Sequence, residues 1–354
     1  MDKNNPIIVG ITIGDLNGIG GEIILKTLED TRMLDFCTPV IFASVKTISF
    51  LKKALKINVQ FQGIDTLDKI LPGKINVLNV WKETVEIQFG EESSMSGGYA
   101  IASLKAATEA LKNDAIDVLV TAPIHKTTIQ SDDFQFPGHT GYLAQELEGD
   151  SLMFMVSETI KVGLLTDHVP IKDVAKHITK QLVDKKIKAI HNALQQDFGV
   201  RVTKIAVLGI NQHVCDNGVI GSEDDKVLKP AIEKINASGT YVYGPYAADS
   251  FFGSGNYKNF DAIIAAYHDQ GLIPFKTIAF GKGVNYTAGL RKVRTSPDHG
   301  TAFDIAGQNK ADHNSFKEAV FLAIAIFKKR KEHQKLTKNP LQASPKKRYP
   351  KKSS

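Results

Sequence analysis

Four histidines in this chain follow short apolar runs. Residues 118–122 lead to His125, residues 162–166 to Asp167 and His168, residues 205–208 to His213, and residues 263–266 to His268, Asp269 and Gln270. A short continuous apolar run suits a strand covered on both faces of an α/β sheet, and ligand sites in such sheets lie beyond the carboxyl ends of the strands. Imidazoles gathered there would suit a borderline divalent metal, with zinc favoured by nitrogen donors. For any one of them, a satisfied core or turn histidine is the plainer alternative.

Other residues could grip an anion or move a proton. Lys276 closes the stretch DAIIAAYHDQGLIPFK, and together with Arg294 it would make a phosphate clamp of one point charge and one bidentate fork. Lys276 is also a candidate for proton transfer. In the loop PGHTGYL, His139 and Thr140 place two hydrogen-bonding side chains between glycines, where a site and a turn fit equally well. Asp249, in YGPYAADSFF, reads as a residue of a short turn. Asp269 stands beside His268 where a carboxylate would work on a substrate.

These residues need a scaffold, and the rest of the chain supplies its pattern. Residues 7–12, 40–43 and 75–80 read as strands, alternating with helices near 48–55 and 97–112; in the latter Ala100, Leu104, Ala107 and Leu111 share a face. This is the βαβ rhythm of a mainly parallel sheet. The loop GDLNGIGGE after the first strand matches neither the dinucleotide fingerprint nor a Walker A loop, and a tight structural turn is its simpler reading. Residues 176–198 read as one long amphipathic helix with His177 and His191 solvated, and residues 315–332 as a closing helix.

The chain has 354 residues, 42% of them hydrophobic, enough for substantial cores in one large or two ordinary domains. No run approaches a membrane span, and residues 1–6 are too short and polar for a signal peptide, so a cytoplasmic location is expected. Cys37 and Cys215 are expected as reduced thiols. The net charge of +6 belongs to the end of the chain: residues 328–354 hold eleven Lys and Arg against Glu332 alone, leaving 33 basic and 37 acidic residues elsewhere. That distribution argues against a nucleic-acid-binding body, and the Pro, Ser and Lys-rich tail over 336–354 is expected to be disordered.

Taken together, GDLNGIGGE, TAPIHK, PGHT, residues 166–170, YHDQGLIPFK and VNYTAGLRKVRTSPDHGTAFDIAG resemble the 4-hydroxythreonine-4-phosphate dehydrogenases of vitamin B6 biosynthesis, over about residues 7–329. The resemblance implies an isocitrate/isopropylmalate dehydrogenase-like fold of two α/β domains with a cleft between them. Residues 1–137 with 286–335 would form the first domain, and 138–285 a second that carries the metal ligands and the dimer contacts. It also implies a homodimer whose active site borrows residues across subunits. The implied reaction is NAD-dependent oxidation and decarboxylation of 4-phosphooxy-L-threonine, with NADP as a possible cofactor. By motif, His168, His213 and His268 would hold the divalent metal, zinc expected and magnesium or cobalt possible. His139, Thr140 and Asp249 would contact substrate, while Lys276, Asn285 and Arg294 would hold its phosphate. Ser296, Asp298, His299, Gly300 and Asp304 would face the nicotinamide cofactor, and Lys276, Asp249 and Asp269 are the catalytic acid-base candidates.

The chain departs from the family pattern at three places. The usual Asn-Pro-His-Ala-Gly is here Asn211-Gln212-His213-Val214-Cys215, GDPAGIGPE has become GDLNGIGGE, and the Glu after Gly-His-Thr is Gly141. Activity on 4-phospho-D-threonate or 4-phospho-D-erythronate is the alternative within the enzyme class. A non-catalytic phosphometabolite-binding protein is the alternative outside it.

Overall fold

The computed structural model describes residues 6–339. The first half runs β1 (Ile7–Thr12), α1 (Gly20–Glu29), β2 (Cys37–Ala43), α2 (Val45–Ala54), β3 (Gln62–Ile64), β4 (Asn76–Asn79), α3 (Ser94–Lys112) and β5 (Val118–Thr121). Then come α4 (His139–Glu146), β6 (Gly149–Val156), β7 (Lys161–Leu164), α5 (Val174–His177), α6 (Lys180–Gln196), β8 (Lys204–Leu208), α7 (Lys229–Ala237) and β9 (Tyr241–Tyr246). The chain closes with α8 (Ala248–Gly253), β10 (Ala262–Ala265), α9 (His268–Ala279), β11 (Val284–Leu290), β12 (Val293–Pro297) and α10 (Asn314–Thr337).

Among the described residues, twelve strands join one sheet in the order β3-β4-β2-β1-β5-β12-β11-β6-β7-β10-β8-β9. Strands β3 to β12 along one side are mutually parallel, as are β7, β10, β8 and β9 along the other. Between these blocks the pairs β12·β11, β11·β6 and β6·β7 are antiparallel. Three reversals leave the two parallel blocks running in opposite directions, so their carboxyl ends lie on opposite rims of the sheet. The expected parallel rhythm is therefore present twice, in opposed senses.

Helices cover the sheet with apolar stripes. On α6, Val183, Ile187, Ile190 and Leu194 recur at helical spacing and are fully buried. The stretch read as one helix is two: after α5, Thr179 caps a new helix by accepting from Leu182 N at 3.2 Å. His191 is not simply solvated, since its Nδ1 lies 2.7 Å from Thr203 Oγ1. Asp249 sits in the first turn of α8 rather than in a turn. The final helix reaches Thr337, so Leu336 and Thr337 belong to it; the remainder of the tail from residue 340, like residues 1–5, lies outside the described residues.

The glycine loop after β1 is a structural junction. The N–H groups of Asp15, Asn17, Gly18 and Ile19 donate to Pro123 O, Asp15 Oδ1, Asp15 O and Thr301 O at 3.0 to 3.2 Å. These donors are consumed within the chain, as the tight-turn reading expects.

Candidate active site

The strand directions sort the predicted residues into two groups. His168, His213 and His268 lie past the ends of β7, β8 and β10, three neighbouring parallel strands on one rim. His125 follows β5 and belongs to the opposite rim, where β12 also ends. Helix α9 links the two groups. It starts at His268 and runs back along the sheet for about 12 Å to Lys276. Lys276 Nζ there meets Asp298 Oδ1 at 3.2 Å and Asp298 O at 3.0 Å. A β-carbon on Gly271 would come within 2.9 Å of Leu164 Cδ2 and Val162 Cγ1, so glycine is what lets α9 lie on β7.

On the histidine rim, His213 and Asp249 line one cavity of about 320 Å³ with Asn211, Tyr267 and Gln270. Hydrogen bonds from Ser250, with a smaller electrostatic effect of nearby His213, hold the Asp249 carboxyl below its usual range. Asp269 lines an adjoining apolar groove with Asp249. Gln270, to which the sequence assigns no role beside His268 and Asp269, ties the strand ends together: Oε1 accepts from Ala266 N at 2.7 Å and Nε2 donates to Gly209 O at 2.8 Å. His213 opens five consecutive residues with φ between 42° and 65°, ending at Asn217. Each such L-residue costs roughly 1–2 kcal/mol relative to right-handed backbone.

Among the described residues of one chain, no three His, Cys, Asp or Glu side chains converge to hold an ion. The donor chemistry fits all the same. His268 Nδ1 lies 2.7 Å from Asp269 Oδ1, the outer-carboxylate arrangement that orients a ligating imidazole and leaves Nε2 free. His168 is 63% exposed at its side chain and His268 46%, so both are open to a further component.

On the other rim, Arg294 is the decisive residue. It is 2% exposed, and among the described residues its guanidinium donates only to Thr121 Oγ1, from Nε at 3.2 Å and Nη2 at 2.6 Å, and to Thr287 Oγ1 at 3.0 Å. No carboxylate pairs with it among the described residues. Burial pushes its pKa down to about 9, which leaves it cationic at neutral pH. An isolated buried cation is costly, so this geometry suits an anionic ligand.

The neighbours of Arg294 share its need for partners. His139 begins α4, and burial first, then the Arg294 charge, hold its imidazole well below the usual value. Its Nε2 is buried without a hydrogen bond, as are Asn285 Oδ1 and His299 Nε2. Asn285 lies two residues from Thr287 on the same face of β11. Thr140 follows His139 in the first turn of α4. The sequence missed Thr121 and Thr287, which carry no signal beyond their places in strands.

A second cavity of about 310 Å³ on this rim is lined by Lys276, Asp298, His299, Ala302, Ile305 and Ser315, among others. Burial raises the Asp298 carboxyl and lowers the His299 imidazole. Asp298 N is fixed by Ser315 Oγ at 2.9 Å. Its mixed apolar and hydrogen-bonding wall and its volume fit part of a nicotinamide nucleotide. Ser296 is buried at the end of β12, while Gly300 and Asp304 lie in the following segment and are not part of this wall.

A family model described as "Pyridoxal phosphate biosynthetic protein PdxA" matches residues 35–323. The chain belongs to this PdxA family. The 4-hydroxythreonine-4-phosphate dehydrogenase of Bacteroides thetaiotaomicron is 44% identical over 341 residues, 96% of this chain and 94% of that protein. The D-threonate 4-phosphate dehydrogenase of Cupriavidus necator is 34% identical, over 88% of this chain and 95% of its own. A crystal structure of 4-hydroxythreonine-4-phosphate dehydrogenase from Klebsiella pneumoniae superposes with a TM-score of 0.79 at 30% identity, covering 92% of this chain and 99% of that one. The fold is thus the mixed α/β fold of PdxA structures. No helix among the described residues is long and apolar enough to cross a membrane.

Proposed function

We propose that this PdxA-family chain is a dehydrogenase that oxidises the C3 hydroxyl of 4-phosphooxy-L-threonine with NAD and releases the carboxylate as CO₂, yielding 3-amino-2-oxopropyl phosphate. The observation that carries this reading is Arg294, a buried guanidinium met, among the described residues, by two hydroxyls and no carboxylate. A phosphate dianion there would gain charge-assisted hydrogen bonds, with His139, Thr140 and Asn285 as further partners and Lys276 released from Asp298 to close the grip. Holding the phosphate at a fixed point orients C3 for transfer. Lys276 Nζ, and Asp249 and Asp269 on the other rim, are the candidate proton carriers. Asp298 and His299, with Ser296, Gly300 and Asp304 around them, would line the nicotinamide site.

His168, His213 and His268 would hold a divalent ion, zinc by donor preference. When bound, such an ion would lower the substrate hydroxyl pKa and stabilise the enolate formed on CO₂ loss. Because the imidazoles and Arg294 lie towards opposite rims, a complete site calls for a second copy whose histidine rim meets the phosphate rim of the first. Exposed Ile171, Val219 and Ile273, near the three histidines in sequence, suit such a contact. Within this reading, residues 1–137 with 286–335 and residues 138–285 act as two α/β domains sharing the sheet.

The test is NADH formation with 4-phosphooxy-L-threonine, 4-phospho-D-threonate and 4-phospho-D-erythronate, each with and without chelator. Chelator-sensitive turnover preferring the first substrate is expected. Preference for the D-acids would move the substrate to that of the Cupriavidus relative's name. Binding without NADH from any of them would make the chain a phosphometabolite-binding protein.

A further inference from the structure

The five-residue left-handed turn that begins at His213 has an internal anchor. Asp224 is fully buried and 11 residues further along the chain, and no Lys or Arg forms an ion pair with it among the described residues. Its carboxylate instead gathers the base of the turn. Oδ1 accepts from Ile210 N at 2.7 Å, while Oδ2 accepts from Asn211 N at 3.0 Å, Asn211 Nδ2 at 3.3 Å and Cys215 Sγ at 3.0 Å. Asn211 Nδ2 also lies 3.4 Å from Cys215 Sγ. The bonds reach the backbone just before His213 and the side chain just after it, so they bracket the imidazole from both sides.

We propose that Asp224 is a positioning residue: with Cys215 and Asn211 it forms a carboxylate clamp that holds the strained turn and presents His213 to the metal. The inference rests on the metal reading of His213. It assigns Cys215 the role of a buried donor to Asp224 rather than that of a ligand, since its sulfur is fully enclosed. It also explains how Val214 and Cys215 stand where the family pattern has Ala-Gly. Cys215, a non-glycine residue at φ of 65°, is kept in place by its side-chain bond to Asp224 instead of by the backbone freedom of glycine.

The test uses the full chain, stripped with chelator and titrated with Co²⁺, reading the dissociation constant, the visible absorption of the bound ion at saturation and the thermal midpoint. His213→Ala, Asp224→Asn, Cys215→Ala and Cys215→Ser are compared with the parent. Asp224→Asn is expected to weaken Co²⁺ about 10–100-fold, the range for outer-shell partners of ligating histidines, and to alter the absorption at saturation. Cys215→Ala should move both readouts the same way by a smaller factor, and Cys215→Ser, which restores a donor, should move them back. Parent-like affinity and spectrum in folded Cys215→Ala and Asp224→Asn, with His213→Ala defective, overturn the clamp alone. Parent-like affinity in His213→Ala overturns the metal reading beneath it. If Asp224→Asn does not fold, the two Cys215 variants decide by the same criteria.

Discussion

Arg294 Nη2 reaches Thr121 Oγ1 at 2.6 Å, and the hydroxyl is the closest polar partner this buried guanidinium has. A neutral hydroxyl cannot offset a buried charge, so the native chain carries a cost here that a bound phosphate would relieve. Arg294→Met should keep or raise the unfolding midpoint while raising KM for the phosphorylated substrate by roughly 100-fold, the loss of about 3 kcal/mol of charge-assisted bonding. Inorganic phosphate should stabilise the parent and not the variant. A midpoint several degrees lower in the variant would mean that Arg294 is structural.

Acid should weaken the fold through its buried histidines. His139 is held well below the usual histidine range by burial and the Arg294 charge, and burial lowers His299 as well. The unfolded chain therefore takes up protons first as pH falls through about 6.5, which favours unfolding, whereas above that value both states are neutral. The midpoint should be flat between about pH 7 and 8, short of the range where Arg294 begins to titrate, and fall as the pH drops below neutral. His139→Gln should flatten the acid slope; an unchanged slope would show that His139 is protonated alike in both states.

A different buried charge is compensated. Arg330 Nε donates to Asp197 Oδ1 at 2.6 Å and Nη2 to Tyr286 Oη at 2.8 Å, tying α10 to the end of α6 and to β11. Removing one charge strands the other, so Arg330→Met should cost roughly 3–5 kcal/mol in denaturant unfolding, and Asp197→Asn in the same background should recover part of it. Full additivity of the two changes would contradict the pairing.

Gly141, where the family pattern has Glu, shows no packing need for glycine. A β-carbon there would meet Pro137 Cδ at 3.5 Å and Phe136 Cδ1 at 3.7 Å, which is ordinary contact. In the first turn of α4, Gly141→Ala should stabilise the chain by about 0.5–1 kcal/mol. Destabilisation in thermal melts would indicate a backbone that alanine does not tolerate.

The sequence made the strand-end histidines legible, because an apolar run of four or five residues stopped at a polar group each time. What it hid was direction. Nothing in residues 149–156 or 284–290 marks them as strands that reverse the sheet, since a buried run reads the same in either sense. For the same reason the sequence groups His125 with histidines from which the fold separates it. Thr121 and Thr287 were illegible as partners of Arg294 because one of them lies 173 residues away and only strand register brings it close. The break at Thr179 was missed because apolar periodicity continues across it, while a capping hydroxyl restarts the helix.

The opposed polarity of the two strand blocks carries a genetic consequence. If one subunit lends its histidines and the other its guanidinium, two chains disabled at different positions can rescue each other. Unfolding and refolding His213→Ala with Arg294→Met in equal amounts would then restore about a quarter of the catalytic centres in a randomly reassorted dimer population, read at substrate well below the KM of the Arg294 variant, where neither protein alone turns over appreciably.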